Sequence, residues 1–342
     1  MAASSDARLA AHHWAPVESS IHLNLPVDYS CYLERTRQAV YARLRTAPAG
    51  DIVSRYFERG KMLRAFLVFA GCASVGGDPE NVLEAAEAIE LLHGASLFHD
   101  DIMDRAAERR GIVALHEQLG VGQALVVGDD LLLRAFTALA DARAHHPPEI
   151  VLQAMEALNQ LARKCCRGQF EELRATPWIS EEQYFFIVEG KTAAPFVAAG
   201  VLGVLLGGGT PAQIAQIRIY AREMGIAYQI DDDLMDLVGE PGSMGKPVGN
   251  SLAEGRPMLP FIYLWQEGSD AVRTKLCQLG RNGSGRDELV ALLQQHAILD
   301  RTLQVRNRHL QAAIAALKEF GNPSGVQALC ALVSRSTPGT SS

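Results

Sequence analysis

The chain has 342 residues, of which 48% are hydrophobic but only 6% aromatic, so its apolar mass is mostly aliphatic. Such a composition favours close-packed helices over a β-sandwich. The formal net charge of −7 excludes a generally basic surface, and we expect no nucleic-acid partner. The six cysteines include no Cys-x-x-Cys pair, which predicts reduced thiols in a cytoplasmic protein and neither a disulfide framework nor a zinc site.

Both ends of the chain are rich in small polar residues. Residues 1–25 lack the basic segment followed by an apolar segment that marks an export signal, and residues 335–342 are equally polar. We expect flexible tails over these two ranges. Since no low-complexity linker divides the interval between them, a single domain is expected over residues 26–334.

Between the tails, apolar residues recur three and four positions apart, which is the spacing of one face of an α-helix. Breaks rich in glycine and proline, such as 76–79 and 207–211, interrupt this pattern at short intervals. No alternating run is long enough to require a sheet. The pattern therefore predicts an all-α fold with about ten or more helices.

One uncharged segment, residues 192–217, is long enough to cross a bilayer, for which about 20 apolar residues suffice. Pro195, Pro211 and three successive glycines at 207–209 leave it only a short apolar core. We therefore expect a buried helix and no stable membrane insertion.

The sharpest local signal is a pair of aspartate clusters, LFHDDIMD and YQIDDDLMD. Helical residues four positions apart lie about 40° apart on one face, so Asp100 and Asp104 can approach the same cation, and Asp232 and Asp236 repeat that spacing. Carboxylates set among Leu, Ile, Met and Phe would repel one another and lose hydration without cations. Although one such triplet is equally typical of a solvated face, two of them predict a Mg²⁺ site completed by substrate phosphate.

Cations are expected around that site. Only six lysines occur, and three of them lie in short sequences with nearby glycine or threonine, RGKMLR, EGKTAAPF and MGKPVGNS. Arg109 and Arg110 follow the first aspartate cluster. Because lysine offers phosphate a point charge and arginine a forked donor, this combination indicates a pocket for diphosphates.

Several segments, in chain order, resemble the trans-type isoprenyl diphosphate synthases of the polyprenyl synthetase family: AIELLHGASLFHDDIMD, GDDLLLRAF, GQFEEL, GKTAAPF, YQIDDDLMD and GKPVGNSLAEGRPMLP. The resemblance runs from about residue 59 to residue 264. It implies one all-α bundle around a deep apolar cavity, usually a homodimer. It also implies a Mg²⁺-dependent prenyltransferase that condenses isopentenyl diphosphate with an allylic diphosphate of C5 to C15.

The same resemblance implies roles for individual residues. Three Mg²⁺ ions per active site are expected on the two aspartate clusters, with direct ligands at Asp100, Asp104 and Asp232 and direct or water-mediated support from Asp101, Asp233 and Asp236. The allylic diphosphate is expected on Arg109, Lys191 and Lys246. Isopentenyl diphosphate is expected on Lys61, Arg64, His93 and Arg110. Thr192 and Gln229 would face the reacting carbons, and the expected catalytic residues are Asp100, Asp104, Lys191, Asp232 and Gln229.

Four positions depart from the family pattern. Ala65 stands where proline is usual, Ser251 where aspartate is common, Arg256 where lysine is common, and Met258 where threonine is usual. Arg256 keeps a cation that would bind substrate, although with a different geometry. We expect these departures to alter rate or substrate preference.

Product length is expected to depend on Ala95 and Ser96, which lie about one helical turn before Asp100. Family members that stop at C15 generally place bulky aromatic residues there, whereas these two are small. The interpretation is a C20 product, geranylgeranyl diphosphate, with C25 to C40 as the next possibility. Two other readings stay open: a class I terpene cyclase, whose second metal motif has a different spacing, and a non-catalytic regulatory subunit of a prenyl synthase.

Overall fold

A computed structural model describes residues 28–238, 255–282 and 286–334, so both predicted tails lie outside the described ranges. The described chain is almost entirely helical, which confirms the all-α prediction. Its helices are α1 (Ser30–Leu44), α2 (Gly50–Glu58), α3 (Leu63–Ser74), α4 (Leu83–Met103), α5 (Leu115–Leu119), α6 (Val121–Asp141), α7 (Pro148–Glu172), α8 (Glu181–Val188), α9 (Ala194–Leu206), α10 (Pro211–Val238), α11 (Leu259–Glu267), α12 (Asp270–Asn282), α13 (Arg286–Gln295), α14 (Ile298–Ala316) and α15 (Pro323–Ser334).

Short elements join these helices. Single 3₁₀ turns occupy Pro79–Val82, Ala142–Ala144 and Leu317–Glu319, and a two-residue antiparallel hairpin pairs β1 (Glu108–Arg109) with β2 (Ile112–Val113). Between α8 and α9 the helix widens into a π turn, Glu189–Ala193. These short elements carry several of the residues that the sequence singled out.

Helix α9 forms the centre of the main core, where it packs against α3, α7 and α10, while α4 packs on α6. It crosses α3 closely because position 203 is glycine: a Cβ there would come within 2.2 Å of the Val68 carbonyl oxygen. The uncharged segment of the sequence contributes to the continuous helical stretch Glu181–Leu206, which is long and apolar enough to cross a membrane. Because 72% of its most apolar window is buried inside the protein, it is a core helix here, as expected.

A second, smaller core lies beside the first. It joins the last turns of α10 to α8, α11 and the helices from α13 to α14 through residues such as Ile230, Leu234 and Phe261. The C-terminal ends of α4 and α10, which carry the aspartate clusters, both open onto a pocket beside these cores. Two residues on the pocket wall, Met62 (φ 49°) and Arg110 (φ 54°), have left-handed backbone, a conformation that is strained for side chains of this size.

Candidate active site

A pocket of about 650 Å³ brings most of the predicted site residues together. Its charged and polar lining comes from α3, α4, the hairpin, α7, α8, the π turn, α10 and the segments before α3 and α11. The predicted residues on its wall are Lys61, Arg64, His93, Ser96, Asp100, Asp104, Arg109, Arg110, Lys191, Thr192, Gln229, Asp232, Asp233, Asp236 and Arg256. Lys246 and Ser251 lie outside the described residues.

On the first aspartate cluster, the side chains of Asp100 and Asp104 face the pocket. Burial raises the pKa of Asp100 to about 6, although Lys191 Nζ lies 3.8 Å from its carboxylate and favours the charged form. Asp104 forms an ion pair with Arg256, whose guanidinium nitrogen lies 2.7 Å from Asp104 Oδ2. Arg256 therefore reaches from the segment before α11 to the first cluster.

Asp101, between these two aspartates, points away from the pocket. It is 0% exposed, and Arg109 Nε donates a hydrogen bond of 2.8 Å to its Oδ1. Its other carboxylate oxygen is buried with no hydrogen-bond partner among the described residues. In this structure Asp101 thus contacts Arg109 and orients that guanidinium, and its direct or water-mediated support of a metal ion stays a prediction.

The second cluster has a similar division. Asp232 and Asp236 line the pocket, and burial, with the neighbouring charge of Asp233, raises the pKa of Asp232 to about 7. Asp233 reaches the wall, but its carboxylate accepts hydrogen bonds from Tyr184 Oη at 2.7 Å, Gln229 Nε2 at 3.0 Å and the backbone N–H of Leu259 at 3.0 Å. These bonds connect α10 to α8 and to the first residue of α11.

The π turn presents Lys191 and Thr192 to the pocket between the two clusters. Lys191 Nζ donates to the carboxylate of Glu172, at the end of α7. Thr192 Oγ1 donates to Gln229 Oε1 at 2.6 Å, so the Gln229 amide is oriented from both ends, by Thr192 and by Asp233. Glu172 and Tyr184 were not found from the sequence, since their partners lie on other helices.

The opposite wall is cationic. Arg64 lies 5.0 Å above the ring of Phe196, and burial lowers the pKa of Arg64 and of His93. Buried Glu90 lies beside them on the wall and accepts a 3.0 Å hydrogen bond from the backbone N–H of Ala65. Proline at position 65 would have no N–H to donate, so this departure from the family pattern adds one bond between α3 and α4.

The donor set suits a hard divalent cation. Among residues 28–238, 255–282 and 286–334, no three His, Cys, Asp or Glu side chains converge as a metal site. Mg²⁺ is commonly held by one or two carboxylates, with water and substrate phosphate as its other ligands. The pocket-facing pairs Asp100/Asp104 and Asp232/Asp236 offer such oxygen ligands. Burial raises the pKa values of Asp100 and Asp232, which a bound cation would lower again.

The two predicted chain-length residues differ in position. Ser96 lies on the pocket wall, with its hydroxyl donating to the His93 carbonyl at 2.8 Å. Ala95 is 3% exposed and belongs to the main core, so the expectation that it lines the wall is wrong in this structure. The reason is rotation: successive helical residues lie about 100° apart, and one step turns Ala95 toward the core.

Comparison with known proteins gives consistent matches. Residues 49–295 match the family model described as polyprenyl synthetase. The chain is 38% identical over 237 residues to a short chain isoprenyl diphosphate synthase from Methanothermobacter thermautotrophicus, covering 68% of this chain and 70% of the relative. It is 35% identical over 289 residues to a geranylgeranyl diphosphate synthase from Mycobacterium tuberculosis, covering 81% of this chain and 80% of the relative.

Solved structures match over most of the chain. A geranylgeranyl pyrophosphate synthetase from Pyrococcus horikoshii has a TM-score of 0.81 and 28% identity, with 90% of this chain and 98% of that chain covered. A polyprenyl synthase from Caulobacter crescentus, solved with calcium and isoprenyl diphosphate, has a TM-score of 0.80 and 26% identity over 90% of this chain and 94% of that chain.

Proposed function

Because the chain belongs to the polyprenyl synthetase family and is therefore a trans-prenyltransferase that makes an isoprenyl diphosphate, we propose that its product is C20 geranylgeranyl diphosphate. The substrates are isopentenyl diphosphate and an allylic diphosphate, and the reaction requires Mg²⁺. The main support for this proposal is that one pocket is lined by both aspartate pairs and by all the described cations that we expect to bind diphosphate.

Electrostatics divides the pocket between two diphosphates. Asp100, Asp104 and Asp232 would hold Mg²⁺, which when bound neutralises charge on the leaving diphosphate. Lys191 and Arg109 stand beside the first cluster and bind the allylic diphosphate, with Arg256 approaching from the segment before α11. The wall carrying Lys61, Arg64, His93 and Arg110 binds isopentenyl diphosphate.

The reaction needs no side-chain nucleophile. The allylic C–O bond breaks and its electron pair leaves with diphosphate, after which the alkene of isopentenyl diphosphate attacks the allylic carbon. The new carbocation then loses a proton to the departed diphosphate, which forms the new double bond. Thr192 Oγ1 and Gln229 Oε1 place oxygen dipoles beside the reacting carbons, fixed in advance by Asp233 and Tyr184.

Chain length is the finer part of the proposal. Ser96 is small and lies on the wall near Asp100, so a growing tail is not stopped at that level. The M. tuberculosis and Methanosarcina mazei relatives at 35% identity are both geranylgeranyl diphosphate synthases. A longer product, C25 to C40, is the alternative if the growing tail can extend beyond the pocket.

The test is chromatography of products formed from isopentenyl diphosphate with C5, C10 and C15 primers, each with and without Mg²⁺. We expect a C20 product with Mg²⁺ and none after chelation. A dominant product of C25 or longer would overturn the chain length, and turnover without a divalent cation would overturn the metal requirement. Hydrocarbon formed from the C20 diphosphate alone would instead identify a terpene cyclase.

We also propose a homodimer, based on helix α6. Its exposed surface carries Leu125, Val126 and Leu133, of which Val126 is 59% and Leu133 is 67% exposed, and they follow helical spacing along one side. An apolar stripe of this kind is typical of a protein interface, and a second copy of the chain is the occupant we propose. Light scattering should give twice the 37.0 kDa chain mass, and Leu133→Glu should give a monomer. A monomeric wild type would contradict the proposal.

A further inference from the structure

The π turn Glu189–Ala193 is held from outside the pocket by charged side chains that the proposed reaction does not use. π turns are rare because their wider backbone is less favourable than an α-helix, and they persist where surrounding contacts stabilise them. This turn carries Lys191 and Thr192 into the pocket. Whatever holds its backbone therefore also decides where these two side chains stand.

The turn packs closely between α7 and α10 because glycines lie at the points of contact. A Cβ on Gly190 would come within 2.7 Å of Gly168 Cα on α7, and a Cβ on Gly225 of α10 would come within 2.6 Å of Ala193 Cα. Such backbone contacts let the helices approach closely. They form no directional bond, however, and so do not fix the register of the turn along its own axis.

Directional bonds come from Glu189, the first residue of the turn. Its carboxylate accepts hydrogen bonds from Arg222 of α10 and, at 3.4 Å, from Lys164 Nζ of α7. We call these three side chains the Glu189 clasp. Burial raises the pKa of Glu189, but Arg222 and Lys164 outweigh it, so the pKa is lowered overall and the carboxylate stays charged at neutral pH.

Helix α14, in the C-terminal part of the chain, contacts the Glu189 clasp through Glu223. Arg222 also donates to Glu223, and Glu223 Oε2 lies 2.5 Å from Nδ1 of His309 on α14. This chain of polar contacts thus passes from α14 through α10 to the π turn and on to α7. Neither Glu189 nor Arg222 lines the pocket.

We propose that Glu189 and Arg222 are positioning residues, which hold the π turn in register so that Lys191 Nζ and Thr192 Oγ1 meet the allylic diphosphate and the reacting carbons. The inference rests on the proposed function. Without the clasp, the backbone of the turn itself is free to move toward α-helical geometry, while α9 stays packed in the core. Lys191 and Thr192 would then leave their places, whereas the isopentenyl diphosphate wall would stay unchanged.

The experiment compares wild type with Glu189→Gln, Arg222→Gln, their double variant and Arg222→Lys. KM for the allylic diphosphate and for isopentenyl diphosphate are measured separately, together with the Kd of an unreactive allylic thiolodiphosphate. We expect each Gln variant to lower kcat/KM for the allylic substrate about 10-fold or more and to weaken the analogue, with KM for isopentenyl diphosphate within about twofold of wild type. Arg222→Lys should recover much of the loss, and the double variant should be no worse than either single one.

A matched control is Glu87→Gln. Glu87 is a buried carboxylate that accepts hydrogen bonds from Arg43, joining α4 to α1 and lining no part of the pocket. It should lower thermal stability without changing the ratio of the two KM values. The inference is overturned if Glu189→Gln keeps the wild-type kcat/KM for the allylic substrate or raises the KM values of both substrates equally. It is also overturned if Glu87→Gln changes the ratio of the two KM values in the same way. An inactive wild type would instead overturn the proposed function.

Discussion

The two aspartate clusters have the same spacing but are held in place by different chemistry. Asp100 and Asp104 of the first cluster, and Asp232 and Asp236 of the second, line the pocket. Asp101 and Asp233 are turned toward protein donors, and Asp231, which precedes Asp232, accepts a hydrogen bond from Arg306. Asp101 is bound by a cation, Arg109, whereas Asp233 is bound by three neutral donors from Tyr184, Gln229 and a backbone N–H. The shared spacing thus gives the same division of labour on both helices, with different partners.

The difference has an electrostatic consequence. Asp100 has Lys191 Nζ 3.8 Å away, and its pKa is raised to about 6, mainly by burial. Burial and the charge of Asp233 raise the pKa of Asp232 to about 7, although Lys61 and Arg64 favour its charged form. Asp232 therefore depends more strongly than Asp100 on added cations to hold its charge at neutral pH. Four predictions test this comparison.

The largest effect is expected at the aspartates that face the pocket. Asp100→Ala and Asp232→Ala should each lower turnover at least about a thousandfold. Each removes a proposed ligand of the Mg²⁺ that neutralises charge on the leaving diphosphate. The fold should survive, since burial raises the pKa of both carboxylates and a buried charge is not stabilising by itself. Steady-state turnover with Mg²⁺ and circular dichroism check the two statements. Wild-type turnover in either variant would contradict the proposed role of that aspartate as a metal ligand.

Substitutions at Asp101 and Asp233, which hydrogen-bond to protein donors, should have a smaller effect that is divided differently between kcat and KM. Asp101→Asn and Asp233→Asn should lower kcat/KM about 10- to 100-fold, since each only orients groups that contact substrate. Asp101→Asn should act mainly through KM for the allylic diphosphate, because it releases Arg109, and Asp233→Asn mainly through kcat, because it releases Gln229. Asp270→Asn, whose side chain is 98% exposed, is the control. Losses as large as those of Asp100→Ala would show that these residues hold metal directly.

The wall beside the first cluster should control product length. Ser96→Phe places an aromatic ring on the pocket wall and should shorten the product by at least one C5 unit. Ala95→Phe should instead destabilise the core by about 1–3 kcal/mol, since that position is buried and closely packed. Product chromatography and thermal melting distinguish the two outcomes. The opposite assignment, with Ala95→Phe shortening the product at unchanged stability, would mean that α4 is rotated relative to this structure.

The smallest effect concerns pH. Since the folded pKa of Asp232, about 7, exceeds its ordinary value of 3.8, the folded chain holds a proton that the unfolded chain releases between these values. The free energy of unfolding therefore loses this contribution as pH rises through that window. Buried His93 acts in the opposite sense, so the measurement is a difference: in chelator, Asp232→Asn should gain melting temperature relative to wild type from pH 5 to pH 8. A constant difference would contradict the raised pKa.

Several features of the site could be predicted from the sequence because they are local. Helical spacing alone places Asp100 near Asp104 and Asp232 near Asp236, and the structure has both pairs on the pocket wall. The cations were found from their short motifs. Their bonding partners Glu172, Tyr184 and Glu90 were not found, because their contacts with Lys191, Asp233 and Ala65 are made between different helices.

By itself the sequence determined the helical class, the buried nature of the segment around α9 and the two aspartate pairs, since periodicity and spacing act within one helix. Only the tertiary structure decided that Asp101 and Asp233 turn toward protein donors, that Ser96 and not Ala95 reaches the wall, and that Glu189 and Arg222 hold the π turn. The physical reason is that helix rotation and close crossing set these contacts. Both depend on packing between residues far apart in the chain, as at Gly203 and Val68.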